Sequence, residues 1–375
     1  MAFDWAALPL DILGTIALKL ETFKDFITFS VVCRCWNHAS SLLKHQWRAT
    51  PSVPWLLLVE NTSNKPSCVR KIQKQISCYR LNFPKTFGER CWGSPYGWVA
   101  VAKRDLTIQL FNPITKANIS FPSLETIADL HKYNPEDFKD YYDWVLRTFL
   151  KKLVVLRVSQ SGHHEFVIIL LSDFSKGLAF AKHGDKSWTT ILIKETGVTV
   201  YDVVAMDDHV FALYDDGAIA YWSVDEFYGL NKIVKPMNYY AGEHGIFERF
   251  DVNKRRIYLV QSSSDLLMVL VLHEEYVQAY RLNPQDKVWE EIKDLGDVAL
   301  FLGDNSSMSV SRAHLKCLRS NFIYFTDQES PFWLMVVQLD LHFNSHFHII
   351  YNRIFYKDDD IRSSLCTPTW FIPQF

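Results

Sequence analysis

From Leu8 to Leu20 the apolar residues Leu8, Ile12, Leu13, Ile16 and Leu20 recur in steps of three and four, which places them on one face of a helix. Pro9 suits a first helical turn, and Asp11 complements the positive end of the helix dipole. A second stripe runs through Phe23, Phe26, Ile27, Val31 and Val32, and a third through Cys33, Trp36, Ala39, Ser40 and Leu43. The spacing predicts three short helices. A bundle of ~45 residues buries too little surface to be stable alone, so its apolar faces need a partner or a neighbouring domain.

Beyond residue 54 the period changes. Short apolar or alternating runs at Trp55–Val59, Gly97–Ala102, Leu106–Phe111, Leu153–Val158, Phe166–Leu171, Val203–Met206, His209–Tyr214, Ala218–Val224, Ile257–Gln261, Leu266–Leu272 and Tyr276–Leu282 read as strands. Turn signals such as Asn112-Pro113, His183-Gly184-Asp185, Asp215-Asp216-Gly217 and Asn283-Pro284 separate them. Many short strands with little helix indicate a mainly β sandwich, barrel or propeller.

Internal repetition decides among these. Phe111-Asn112-Pro113-Ile114-Thr115-Lys116 is echoed by Leu282-Asn283-Pro284-Gln285-Asp286-Lys287, and the run from Asp185 to Ile191 by that from Asp286 to Ile292. Lys116, Lys186 and Lys287 are 70 and 101 residues apart, which suits one repeat with an insertion followed by two repeats of about 50. Propeller blades have that size, and a Trp after the turn (Trp188, Trp289) is expected to pack against the next blade. Dividing the remaining ~320 residues by the blade length predicts six blades, or seven at a shorter repeat. The polar and aromatic stretch 132–147 reads as an inserted loop. Pro368–Pro373 is expected to supply a strand that pairs with the first blade and closes the ring.

Composition narrows the function. Apolar residues make up 48% and charged residues 22%, enough for a real core. Forty basic against 42 acidic residues give a net charge of -2, without the basic excess that nucleic-acid binding requires. The longest apolar runs, Phe166–Leu171 and Leu266–Leu272, are far too short to cross a bilayer. Seven cysteines in no regular spacing read as reduced thiols, and no secretory leader is visible, so a cytoplasmic or nuclear location is expected.

The residues Leu8-Pro9-Leu10-Asp11-Ile12-Leu13, with Ile16, Leu20, Asp25, Phe29 and Val31-Val32-Cys33-Arg34-Cys35-Trp36, resemble the F-box, a three-helix motif that docks on the Skp adaptor of cullin-RING ubiquitin ligases. Glu21-Thr22-Phe23 stands where the usual pattern has a Leu-Pro turn. The runs Cys91–Trp98, Asn112–Thr115, Asp294–Gly303, Asn321–Asp327 and Pro368–Pro373 resemble the plant domain of unknown function 295, a KIB-type β-propeller. The resemblances imply an F-box over 4–45, a linker over 46–54, and a six-bladed or seven-bladed propeller over 55–375 with an insertion around 125–147. They imply a substrate-recognition subunit of a Skp-cullin-F-box E3 ubiquitin ligase. Its head would bind the Skp-family adaptor, and through it cullin and RING subunits, while the propeller binds a protein target.

On this reading Leu8, Pro9, Ile12, Leu13, Ile16, Leu20, Val32 and Trp36 face the adaptor, with Leu8, Pro9, Ile12 and Leu13 as anchors. The candidate target surface is one rim of the propeller plus the insertion aromatics Tyr133, Phe138, Tyr141, Tyr142 and Trp144. The alternative is a ligand-binding or protein-binding propeller with no ligase role.

Catalytic signatures are missing from the sequence: it has no phosphate-binding or dinucleotide-binding glycine loop and no nucleophile elbow. His273-Glu274-Glu275-Tyr276-Val277 lacks the second His of a zinc-protease helix, and His342, His346 and His348 lack a fourth ligand. Ser41-Leu42-Leu43-Lys44 falls inside the third predicted helix. Lys254-Arg255-Arg256 reads as a solvated bend. No catalysis, metal or cofactor is expected.

Overall fold

The computed structural model describes residues 4–20, 23–48, 54–58, 68–71, 77–80, 90–160, 163–172, 177–191, 200–214, 217–223, 232–234, 255–272, 276–286, 288–315, 319–326, 333–338, 350–353 and 369–374. The helical head comprises α1 (Leu10–Lys19), α2 (Phe23–Ser30) and α3 (Arg34–Arg48). Asp11 in the first turn of α1 and Lys19 in its last complement the helix dipole. Leu13, Ala17, Phe26, Phe29 and Ala39 form the centre of the bundle, and Leu8, Ile16, Leu20, Trp36 and Leu43 pack around them.

Strands make up the rest. β1 (Trp55–Leu58), β2 (Cys68–Lys71) and β3 (Ser77–Arg80) pair in order, and the C-terminal β25 (Thr369–Phe371) adds antiparallel to β1, with Trp55 opposite Phe371 and Leu57 opposite Thr369. The expected closing strand is therefore present. Blade I contains β4 (Arg90–Gly93), β5 (Val99–Ala102), β6 (Ile108–Phe111) and β7 (Asn118–Phe121). Blade II contains β8 (Leu150–Gln160), β9 (His163–Ser172), β10 (Leu178–Lys182) and β11 (Thr189–Ile191). Blade III contains β12 (Val200–Met206), β13 (His209–Tyr214), β14 (Ile219–Ser223) and β15 (Lys232–Val234). Blade IV contains β16 (Arg255–Ser262), β17 (Asp265–Leu272), β18 (Tyr276–Asn283) and β19 (Val288–Ile292).

Blade V departs from the pattern. Its strands β20 (Val298–Leu302), β21 (Met308–Ser311), β22 (Phe322–Thr326), β23 (Trp333–Gln338) and β24 (Ile350–Arg353) are ordered β21-β20-β22-β23-β24, and β20 and β22 run parallel. The expectation of six or seven blades is corrected to five. Among the described residues five blades each fold from one run of chain, and the remaining sheet is a composite seam that joins β25 to β1–β3. Dividing length by repeat size fails because one sheet draws on both ends of the chain and blade V carries an extra strand.

The repeated sequence motif has one geometry. Asn112 Oδ1 accepts from the N–H groups of Ile114 and Thr115, and Asn283 Oδ1 accepts from those of Gln285 and Asp286, at 2.9–3.1 Å. Both turns join the third and fourth strands of a blade, where the asparagine side chain holds the bend. The tryptophans latch adjacent blades, though to the preceding blade and not the next one. Trp188 Nε1 of blade II donates to Pro122 O beyond blade I at 3.0 Å, and Trp289 Nε1 of blade IV donates to Gly217 O of blade III at 3.2 Å. Trp370 Nε1 of the seam repeats the contact with Leu302 O of blade V at 3.2 Å.

Candidate functional site

On the helical head, burial divides the predicted adaptor-facing residues. Leu13 is wholly buried at the bundle centre, so it holds the helices together and presents no surface. Leu8, Ile16, Leu20 and Trp36 are half-buried against the bundle, and Pro9 is exposed. Ile12 is 45% exposed and Val32 55%. Their exposed apolar companions are Trp5, Leu10, Leu18, Val31 and Leu42; all but Val31 lie off the stripes that periodicity marks.

The head is tied within itself. Trp36 Nε1 donates to Trp5 O at 3.0 Å, its ring lies 4.5 Å from that of Phe29, and Asn37 Nδ2 donates to Ser30 O at 2.9 Å across the α2–α3 corner. Ile27 of α2 packs against the cluster of Trp55, Leu57, Cys91, Val99, Val101, Phe111 and Phe371 at the seam. The head thus meets the propeller through α2, while the exposed apolar residues of α1 and of the α2–α3 corner remain on the outside.

The insertion is a run of short helical turns, ending in a four-residue helix (Tyr141–Trp144) and a π turn (Val145–Phe149). Leu124, Ile127, Leu130, Val145, Leu146 and Phe149 sink into the core shared by blades I and II. Phe138 stacks on Trp144 at 4.1 Å, and Tyr133 and Tyr141 lie 5.2 and 6.0 Å from the same indole. Four of the five nominated aromatics are therefore half-buried in one cluster centred on Trp144, and Tyr142 alone of the five is exposed.

The channel along the propeller axis holds residues that the sequence pattern does not reveal. β4, β8, β12 and β16 give residues at or near their starts to one cavity and later residues to another, with Lys152 lining both. The cavity at the later residues, of about 280 Å3, is lined by Tyr96, Gln261, Ser306 and Ser309 among others, and among the described residues its one charged member is Lys152. The cavity at the first residues, of about 270 Å3, is lined by Arg90, Arg147, Lys151, Lys152 and Arg256 with Asp202, Asp304, Tyr201 and Tyr258.

Two β-bulges build this second, basic cavity. The pairing of β8 with β9 shifts register between Leu150 and Lys152, and that of β12 with β13 shifts between Val200 and Asp202. A bulge breaks strict alternation, so consecutive residues of one strand address the same side. Lys151 Nζ lies 4.8 Å from the Tyr201 ring centre, and Lys152 Nζ meets Asp202 Oδ1 at 2.6 Å. Asp202 also accepts from the N–H groups of Val203 and Leu259, both at 2.8 Å, and so ties blades II, III and IV together.

Arg90 of β4 donates to the carbonyls of Leu146 and Leu150 and, at 3.3 Å, to that of Lys151, capping the end of the insertion. Burial pushes the Tyr258 phenol well above its ordinary value of 10.0, with Asp304 adding to the shift and Arg256 opposing it. The Tyr258 hydroxyl donates to Asp304 Oδ1 at 3.3 Å. Arg256, read from the sequence as part of a solvated bend, instead lies at the start of β16 and lines the cavity. His273, His342, His346 and His348 lie outside the described residues. Among the described residues no cluster of His, Cys, Asp or Glu is placed to hold a metal ion.

This architecture defines a class: a β-propeller closed by its C-terminal strand and carrying a three-helix head. The chain belongs to the KIB1-4 beta-propeller family, whose match covers residues 69–355. The F-box protein At2g17036 of Arabidopsis thaliana is 24% identical over 361 residues, covering 88% of this chain and 86% of that protein. F-box protein SKIP23 of the same plant is 24% identical over 356 residues, covering 83% of this chain and 81% of that protein. The resemblance to plant F-box proteins with a KIB-type propeller is thereby borne out. Among solved structures, the β-propeller domain of Cps50 (Swd1) from Myceliophteria thermophila overlays with a TM-score of 0.36 at 7% identity, over 80% of this chain and 85% of that one.

Proposed function

We propose that this chain is the non-catalytic substrate-recognition subunit of a Skp-cullin-F-box ubiquitin ligase, whose head docks on a Skp-family adaptor and whose propeller holds a protein target. The observation that carries the reading is the division of labour on the head: Ile27 meets the propeller, while Leu10, Ile12, Leu18, Val31, Val32 and Leu42 stay exposed. So much apolar surface on a small bundle marks a partner site. The naming of similar relatives as F-box proteins makes a helical adaptor the fitting partner. The mechanism is proximity: a target held on the propeller presents its lysines to the ubiquitin-charged subunit at high effective concentration.

The test is calorimetry of the full chain with a plant Skp-family adaptor, comparing wild type with Pro9→Ala/Ile12→Asp. Micromolar or tighter binding, weakened about a hundredfold by the double change, supports the reading, since a few buried anchors carry most of a standard interface. A folded wild type that binds no adaptor overturns it.

A further inference from the structure

We propose that the channel cavity at the later residues of the innermost strands is a binding site for a small polyol, a sugar or cyclitol ring. One wall is a run of consecutive residues, Asn305, Ser306, Ser307, Met308 and Ser309, which form the β20–β21 loop and the start of β21. All of them but Met308 carry a hydroxyl or a carboxamide. Gln261 and Ser263 of blade IV and Tyr96 of blade I add further groups of the same kind.

The wall is fixed in place. Asn305 Nδ2 donates to Thr369 Oγ1 at 3.0 Å and Ser306 Oγ to Trp370 O at 2.8 Å, so the loop is pinned to the closing strand β25. Gln261 Nε2 donates to Ser263 O at 3.3 Å at the β16–β17 turn. A site ordered before its ligand arrives loses little further entropy on binding.

Ser307 points to a ligand. Its Oγ is buried and has no hydrogen-bond partner among the described residues, and the residue lines the cavity. A buried hydroxyl without a partner is unfavourable and is rarely kept without a role. A ligand hydroxyl within the cavity gives it one.

The type of group selects the ligand class. Serine hydroxyls and carboxamides both donate and accept hydrogen bonds, as the hydroxyls of a polyol do. A carboxylate only accepts and an ammonium only donates, so each matches half of what the wall offers. Val154, Ala205 and Met308 line the same space and suit the C–H faces of a sugar. Lys152 reaches this cavity too, with its ammonium engaged by Asp202 at 2.6 Å. At about 280 Å3 the cavity lies just below the ~300–1,000 Å3 of sites for drug-sized molecules, which fits a single sugar ring.

The inference goes beyond the ligase reading and does not depend on it. Calorimetry and saturation-transfer NMR of the full chain with myo-inositol, D-glucose and methyl β-D-glucopyranoside test it, beside sodium acetate, which only accepts, and methylammonium chloride, which only donates. At least one polyol should bind, and more tightly than either ion. Ser307→Ala should weaken polyol binding about fivefold through one lost hydrogen bond, and Ser307→Ala/Ser309→Ala about tenfold or more. Arg281→Gln, at an exposed position on β18 outside the cavity, should change it less than about twofold. If the double variant melts early, Ser307→Ala alone carries the comparison. A glucoside that binds at least as tightly as glucose identifies the end of a glycan as the source, and a weaker one identifies a free sugar or cyclitol. Failure of all three polyols to bind the wild type, tighter binding of either ion, or equal weakening by Arg281→Gln and the serine variants overturns the proposal. Adaptor binding through Ile12 and Val32 is read separately, so either result stands without the other.

Discussion

Lys152 and Asp202 meet at 2.6 Å on the innermost strands of adjacent blades, each directly after a β-bulge and each under a tenth exposed. Removing one member of a buried pair costs about 3–5 kcal/mol, because the other charge is left uncompensated. Asp202 also satisfies two backbone N–H groups, so Asp202→Ala should destabilise more than Lys152→Met. Denaturant midpoints of the two variants check this, and equal losses would show that the backbone bonds to Asp202 contribute nothing.

The indole latches offer a graded test. Trp289→Phe keeps most of the buried ring and loses the hydrogen bond to Gly217 O, a loss of about 1 kcal/mol. Trp289→Ala also opens a cavity between blades III and IV and should cost about 3–5 kcal/mol. Thermal unfolding of both variants, beside Trp188→Phe, measures the hydrogen bond and the packing separately.

Gly93 is fixed by the seam. A Cβ there would lie 1.7 Å from Trp370 O, a backbone atom that cannot move aside without breaking the β25 contact. Gly93→Ala should therefore lower the melting temperature sharply. Gly184, at φ +93° with open space around it, is the control: Gly184→Ala meets only backbone strain, about 1–2 kcal/mol. A Gly93→Ala protein as stable as Gly184→Ala would refute the seam contact.

Buried phenols set an alkaline limit. Tyr258, Tyr96 and Tyr324 all have pKa values raised chiefly by burial. Well below pH 10 both folded and unfolded states keep these protons, and as pH rises through that value the unfolded chain releases them first. Stability from these groups is thus complete below about pH 10 and falls as pH rises towards the folded-state values. Tyr258→Phe should flatten that fall, as read from denaturation midpoints on either side of pH 10.

Much of the fold is legible in the sequence. The strands from Leu153 to Leu282 show because short alternating or continuous apolar runs, the latter buried on both faces, are bounded by turn signals, and the Asn112 and Asn283 turns because a short side chain with an acceptor oxygen must hold the bend. The closing strand at Thr369–Phe371 is legible, but the blade count is not, since nothing in the sequence marks the sheet it forms with Trp55–Leu58 as a composite seam beside five blades. The cavity escapes for a related reason. Arg90, Lys151, Asp202 and Arg256 come from four blades and converge only when the ring closes, and the bulges beside Lys152 and Asp202 leave no mark on hydrophobic period. On the head, periodicity finds the stripe but cannot separate Leu13, which fills the bundle, from Ile12, which does not.

The pairing of Trp55 with Phe371 joins positions 316 residues apart. At a ribosomal rate of about 5–20 residues per second, β1 waits roughly 15–60 s for its partner strand to be synthesised. Throughout that interval its edge is an open template for pairing with other chains. The helical head, complete long before, is available to a binding partner while the ring is still open.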